Sequence, residues 1–349
     1  MFLTLFSEAA ILFIAAQTGF LDGPRVLSSM ALDRWFPTRF ATLSDRFVTH
    51  NGILIMGGAA TIVMLLTGGS VHFLIVLYSI NVFITFSLSQ LGMVRHWWSS
   101  RSAVTGWWKK LLVNSVGLML TSFILVSVTV IKFHEGGWIT LIITGTLIAV
   151  AVIVKRHYKF TSFLLRRLDT LVQAAEASVS EEVLPAGGGQ NTKAQYNPQY
   201  KTAVLLVNGF GGLGLHTLFA VMRLFGEIYK NFVFVQIGVL DAGNFKGAME
   251  IENLQAEAKK EVDRYVDYMK RHGYYAEGFS SIGNDVIDEV SKISPKILER
   301  FPQSVFFGGQ LVFPQDSFLS RFLHNYIVFA IQRKFYHEGI PFVILPIKV

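Results

Sequence analysis

Five apolar runs of spanning length fill the first 160 residues, at approximately 2–20, 51–67, 71–94, 111–131 and 138–154. A hydrocarbon core near 30 Å needs roughly 17–25 such residues in a helix, so the pattern predicts about five transmembrane helices in a domain covering 1–160. Beyond residue 200 the periodicity changes. Short apolar runs at 202–207, 232–240, 274–280, 304–313 and 341–347 alternate with helical patterns near 213–230, 247–272, 284–300 and 317–338. Continuous apolar strands separated by amphipathic helices indicate a parallel sheet covered on both faces. The expected fold is therefore a membrane all-α part followed by an α/β doubly wound parallel-sheet domain at 201–349. The stretch 161–200 reads as a connector, with a helical pattern over 160–177 and a flexible linker around Pro185-Ala186-Gly187-Gly188-Gly189.

Charge sharpens this division. Residues 1–160 hold 12 Lys+Arg against 5 Asp+Glu, whereas the remainder is balanced, so the whole net charge of +7 sits among the apolar runs. A nucleic-acid binder would place that excess on a soluble face, and nucleic acid is not an expected partner. Eleven of the 12 basic residues fall in the 21–50 loop, the 95–110 loop and the exit after residue 154. By the positive-inside rule that side is the cytoplasm, which puts the start of the chain outside and the α/β domain inside. Trp97, Trp98, Trp107, Trp108 and Trp138 lie at span ends, where amphipathic rings favour the headgroup region. The first span has no basic n-region or cleavage site and contains Glu8; an outside start without a signal peptide leads to the expectation of further spans upstream. With no cysteine in the chain, disulfides, thiolate metal sites and cysteine nucleophiles are excluded.

Polar groups inside the spans are the candidates for transport chemistry. An intramembrane carboxylate costs several kcal/mol, on the order of 3, unless it pairs, protonates or faces water; Glu8 is either a proton or cation site or an interfacial residue at a helix start. In the third span Tyr78, Asn81, Thr85 and Ser89 recur at spacings of three and four and share one helical face. Such a stripe must face protein or a water-filled path, so it is helix-packing glue or a lining of the permeation route.

The end of the first span and the following loop run Gln17-Thr18-Gly19-Phe20, then Pro24-Arg25, Ala31, Asp33, Pro37 and Phe40. This spacing resembles the eighth helix and cytoplasmic loop of the amino acid–polyamine–organocation (APC) superfamily of secondary transporters, with Gln17 where Asn is usual. The resemblance implies ten core helices in two inverted five-helix repeats, of which this chain would supply helices eight to twelve. Helices one and six, whose breaks grip the substrate near the midplane, would be absent, so cargo is not readable. It also implies an ion-binding hydroxyl region at Thr18, against a plain packing hydroxyl. Asp22, Arg25, Asp33 and Arg34 are either a solvated turn, with Pro24 opening a short helix, or a cytoplasmic gate whose salt bridges change between states.

In the second half, Gly209-Phe210-Gly211-Gly212-Leu213-Gly214 follows a strand and opens a helix, the context of a phosphate-binding turn. Asp241 lies about thirty residues on rather than the roughly twenty of a dinucleotide site, so Gly209, Gly211 and Gly214 are nucleotide-binding candidates or packing devices. The domain resembles the universal-stress-protein-like tails of some APC transporters, including Kim-type potassium importers whose tails respond to cyclic di-AMP. A stress-protein ATP motif after the fourth strand is replaced by Gly308-Gly309-Gln310 continuing into Leu311-Val312-Phe313-Pro314. His324 reads as a core or interface histidine rather than a ligand.

No hydrolase, kinase or metal-ligand spacing stands out, and neither enzymatic activity nor a cofactor is expected. The leading reading is part of a proton- or cation-coupled secondary transporter, an amino acid permease, in the plasma membrane with a cytoplasmic regulatory tail. The alternatives are a potassium importer of the same superfamily and a membrane-anchored nucleotide sensor without transport. Expected partners are the lipid bilayer, a small solute or cation, a cyclic dinucleotide or adenine nucleotide at the tail, and a second copy of the chain as a homodimer.

Overall fold

The computed structural model describes residues 2–44, 46–102, 105–168, 170, 172, 195–243, 248–313, 323 and 326–348. It divides into two compact units, one of Met1–Ile53 with Val154–Val349 and one of Leu54–Ile153. The membrane part contains α1 (Phe2–Leu32), α2 (His50–Leu66), α3 (Val71–Ser99), α4 (Trp107–Ile131) and α5 (Trp138–Leu168). Among the described residues four helices are long and apolar enough to cross a membrane; α2, at 17 residues, stands at the short end of the spanning range.

Two helices run further than the apolar pattern predicts. The segment after Phe20 was expected to be loop, with Pro24 opening a new helix; instead α1 continues through Pro24 to Leu32. Pro24, Ser28 and Ala31 are its buried residues and recur at i, i+4 and i+7, so a buried face persists after the apolar run ends. Pro24 packs on α2 at Gly52, where a Cβ would lie 3.0 Å from the Pro24 Cβ. Likewise α5 continues to Leu168 as one helix, joining the fifth span to the expected connector helix. Its buried stripe of Val154, Tyr158, Thr161, Leu164 and Leu168 keeps helical spacing throughout. The linker at 185–189 and His324 lie outside the described residues.

In Leu54–Ile153, α3 buries Val76, Ile80 and Ser87, while α4 presents Gly117 to Gln90 of α3, a hypothetical Cβ lying 3.1 Å from the carboxamide. Small residues at such crossings allow close helix approach in lipid.

The α/β domain has five parallel strands, β1 (Lys201–Val207), β2 (Tyr229–Val239), β3 (Tyr275–Gly283), β4 (Ser304–Val312) and β5 (Phe342–Lys348), in the order β3-β2-β1-β4-β5. Helices α6 (Gly212–Phe225), α7 (Ala248–Arg271), α8 (Val286–Arg300) and α9 (Tyr326–Glu338) connect them. Alternate residues of the strands supply two cores. Ala203, Leu205, Phe232 and Phe234 meet Leu215 and Leu218 of α6 and Tyr265 and Met269 of α7 on one face. Val204, Val233, Val235 and Phe306 meet Val290 and Ile297 of α8 and Phe335 of α9 on the other. This is the doubly wound arrangement, with strand order reversing on either side of β1.

Candidate functional site

The polar stripe on α3 is exposed within its own unit: Tyr78, Asn81, Thr85 and Ser89 lie away from buried Val76, Ile80 and Ser87. Its carboxamide is held at both ends. The Asn81 Oδ1 accepts from Thr144 Oγ1 of α5 at 2.7 Å, and its Nδ2 donates to Leu77 O at 3.1 Å. Thr85 donates in turn to Asn81 O at 2.9 Å. Asn81 thus ties α3 to α5, through a threonine that no polar pattern in the fifth span singles out. At the other end of α3, His72 and Lys132 converge on Glu135 at 3.0 and 2.7 Å. Buried hydroxyls of Ser87 and Thr140 have no partner among the described residues.

On α1, Glu8 is exposed, and Thr18 donates to Ile14 O at 3.4 Å. That bond satisfies the hydroxyl within its own helix. Asp22 and Arg25 are exposed on the helix rather than in a loop, and among the described residues none of Asp22, Arg25, Asp33 and Arg34 forms an ion pair. What ends α1 is a Schellman motif. Trp35 N donates to Met30 O at 2.8 Å and Arg34 N to Ala31 O at 3.0 Å, with Arg34 left-handed at φ 60° where glycine is usual. The Arg34 guanidinium donates to Ser162 Oγ of α5 at 2.6 Å. Lys155 Nζ donates to Asp33 O at 2.5 Å, and Tyr158 Oη accepts from Thr38 N at 3.3 Å. Ala31, Phe40 and Ala41 form a small buried cluster with Leu27 and Phe36. The motif residues Pro24, Ala31 and Phe40 therefore pack, while the charges hold the turn to α5.

The glycine turn opens α6, and two of its amides, those of Phe210 and Gly211, have side-chain acceptors. Phe210 N donates to Glu261 Oε2 at 2.6 Å, Gly211 N donates to Tyr265 Oη at 3.4 Å, and that hydroxyl donates to Gly209 O at 3.0 Å. Burial pushes the Tyr265 hydroxyl well above the usual phenol range. Arg264 pairs with Glu261 at 3.3 Å and covers the Phe210 ring at 4.2 Å from its centroid. A carboxylate from α7 thus takes the Phe210 amide, and its negative charge lies beside the turn. Gly209 is required by φ 73°, and Gly214 by Tyr265, whereas Gly211 has open space around a hypothetical Cβ. Beside the turn, a crevice of about 340 Å³ opens at the C-terminal ends of β1 and β4, bordered by Asn208, Gly211, Thr217, Gly309, Gln310 and Ile331. That is where doubly wound sheets take ligands, at the reversal of strand order.

Residues 3–154 match the model of the amino acid permease family. Over 178 residues the chain is 33% identical to the potassium transporter KimA of Bacillus subtilis strain 168, a match covering 51% of this chain and 28% of that relative. The chain therefore spans less than a third of that relative's length. Both similarities are to membrane transport proteins, and the long apolar helices fit a chain that crosses a membrane several times.

Proposed function

We propose that this chain carries part of the helical domain of a cation-coupled secondary transporter of the APC superfamily, followed by a cytoplasmic α/β domain that regulates it. The observation carrying this reading is that the permease match ends at residue 154, inside α5 (Trp138–Leu168) and well before β1 opens the doubly wound domain at Lys201. The cytoplasmic placement rests on the basic residues gathered on one side of the spans. A reporter after Val349 should behave as an inside marker; an outside signal would reverse the topology.

For cargo, the identity to a potassium transporter favours potassium, and the family description favours an amino acid as the second reading. Uptake of rubidium as a potassium surrogate, compared with uptake of labelled amino acids by cells expressing the full-length protein, separates the two. Flux of neither would favour a membrane-anchored sensor.

For the tail, the strand-end crevice supports a ligand site for a nucleotide-sized molecule, entered beside Gly211 rather than on the amides that Glu261 holds. Titration of adenine nucleotides and cyclic dinucleotides against wild type and Gly211→Val tests it. The substitution has space in the fold, so loss of binding without unfolding supports the site. Absence of binding to every nucleotide makes the tail an assembly element.

A further inference from the structure

The loop between α1 and α2 reaches the C-terminal ends of β2 and β3. Thr42 and Asp241 form an isolated antiparallel bridge, and Ala242 N donates to Ala41 O at 2.9 Å. Asn284, just past β3, donates its Nδ2 to Ser44 O at 3.1 Å. Leu32 at the end of α1 packs on Gly243, where a Cβ would lie 3.0 Å from a Leu32 methyl. Phe40, Ala41 and Leu43 of the loop are buried, Phe40 and Ala41 against Ala31 at the end of α1. Because β2 and β3 are still paired at this level, through Leu240 N to Gly283 O at 3.0 Å, the loop is held by the rigid end of the sheet.

We propose that this contact is a clasp by which the α/β domain restrains the cytoplasmic end of α1. The restraint is on backbone groups, so it fixes loop position whatever charges the loop carries. Any movement of α1 that carries residues 41–44 away from the sheet must first expose two carbonyls and part with the bridge, so the domain sets how readily that movement occurs. A change at the strand ends is transmitted through Ala242 and Asn284 without passing through the bilayer. The consequence for flux rests on the transporter reading; the clasp itself does not.

The natural chain has no cysteine, which gives a clean test. Cross-strand neighbours in an antiparallel pair have Cα atoms about 4.5–5.5 Å apart, within the disulfide range of about 4.4–6.8 Å. Thr42→Cys with Asp241→Cys, oxidised with copper phenanthroline, is expected to cross-link within one chain. A protease site placed in the 185–190 segment makes this visible, because the two halves then stay joined until reduced. Thr42→Cys with Lys270→Cys is the negative control, since the C-terminal end of α7 leads into the N-terminal end of β3, at the opposite end of the strands from the clasp. In the full-length transporter with an otherwise cysteine-free background, the cross-link is expected to lower uptake about tenfold, reversed by reductant. Absence of the cross-link in folded protein, or a link only between two copies, overturns the clasp; a complete link with unchanged uptake overturns its restraint of the transport cycle. Should the wild type transport neither solute, the transporter reading fails, and trypsin cleavage at Arg34, Arg39 and Arg46 decides the clasp. Asn284→Ala is expected to raise the cleavage rate severalfold, and equal rates in variant and wild type overturn the proposal.

Discussion

Gly214 leaves room for the Tyr265 hydroxyl: a Cβ at position 214 would lie 2.0 Å from it, and that hydroxyl donates to Gly209 O at 3.0 Å. Gly214 is therefore a packing requirement between α6 and α7. Gly214→Ala should destabilise the α/β domain by about 1–3 kcal/mol through overpacking, whereas Gly211→Ser, with open space around its Cβ, should stay within about 0.5 kcal/mol. Urea denaturation of residues 195–349 measures both. Equal costs at the two positions would remove the argument from the Tyr265 contact.

Glu261 is the acceptor for the turn. Glu261→Ala leaves the Phe210 amide without its 2.6 Å partner, and an amide losing its bond to a charged acceptor costs about 1.5–3 kcal/mol. Glu261→Gln should cost less, because its carboxamide oxygen still accepts. Removal of the charge should also make the turn hospitable to inorganic phosphate, which calorimetry would detect in the variant and not in wild type.

Arg34 bears a backbone strain that its side chain offsets. At φ 60° a residue with a Cβ is disfavoured by roughly 1–2 kcal/mol relative to glycine. Arg34→Ala keeps that strain and loses the Ser162 bond, so it should lower the thermal midpoint of the detergent-solubilised chain. Arg34→Gly should recover about 1 kcal/mol relative to the alanine variant. A glycine variant less stable than the alanine one would rule out the left-handed assignment.

Burial lowers the pKa of His216 on α6 below its usual 6.5. The folded domain then binds fewer protons than the unfolded chain as pH falls below about 6.5, so the linked stability is present above that pH and is lost toward the folded pKa. Denaturation midpoints of residues 195–349 at pH 7.5 and 5.5 should differ more in wild type than in His216→Gln. An identical acid response in the two proteins would mean that His216 is solvated in the fold.

Local periods made much of this protein legible from its residues. Apolar runs announced α3, α4 and the first part of α5, and strand–helix alternation placed β1 to β5 within three residues of their observed starts, because both signals repeat within a few residues and need no distant partner. The extension of α1 through Pro24 was hidden, since its continuing buried face contains Ser28 as well as Ala31 and breaks the hydropathy pattern. What the tertiary structure decided is who satisfies whom. The turn at Gly209–Gly214 had the spacing for a phosphate, yet Glu261, 51 residues beyond Phe210, took the amide. Asn81 was visible as polar, but its partner Thr144 lies 63 residues away. Asn284 carried no motif, and it meets Ser44 across 240 residues. Periodicity reports which face of an element is buried; the identity of a hydrogen-bond partner depends on chain reversals that bring separate elements together, and no local pattern encodes them.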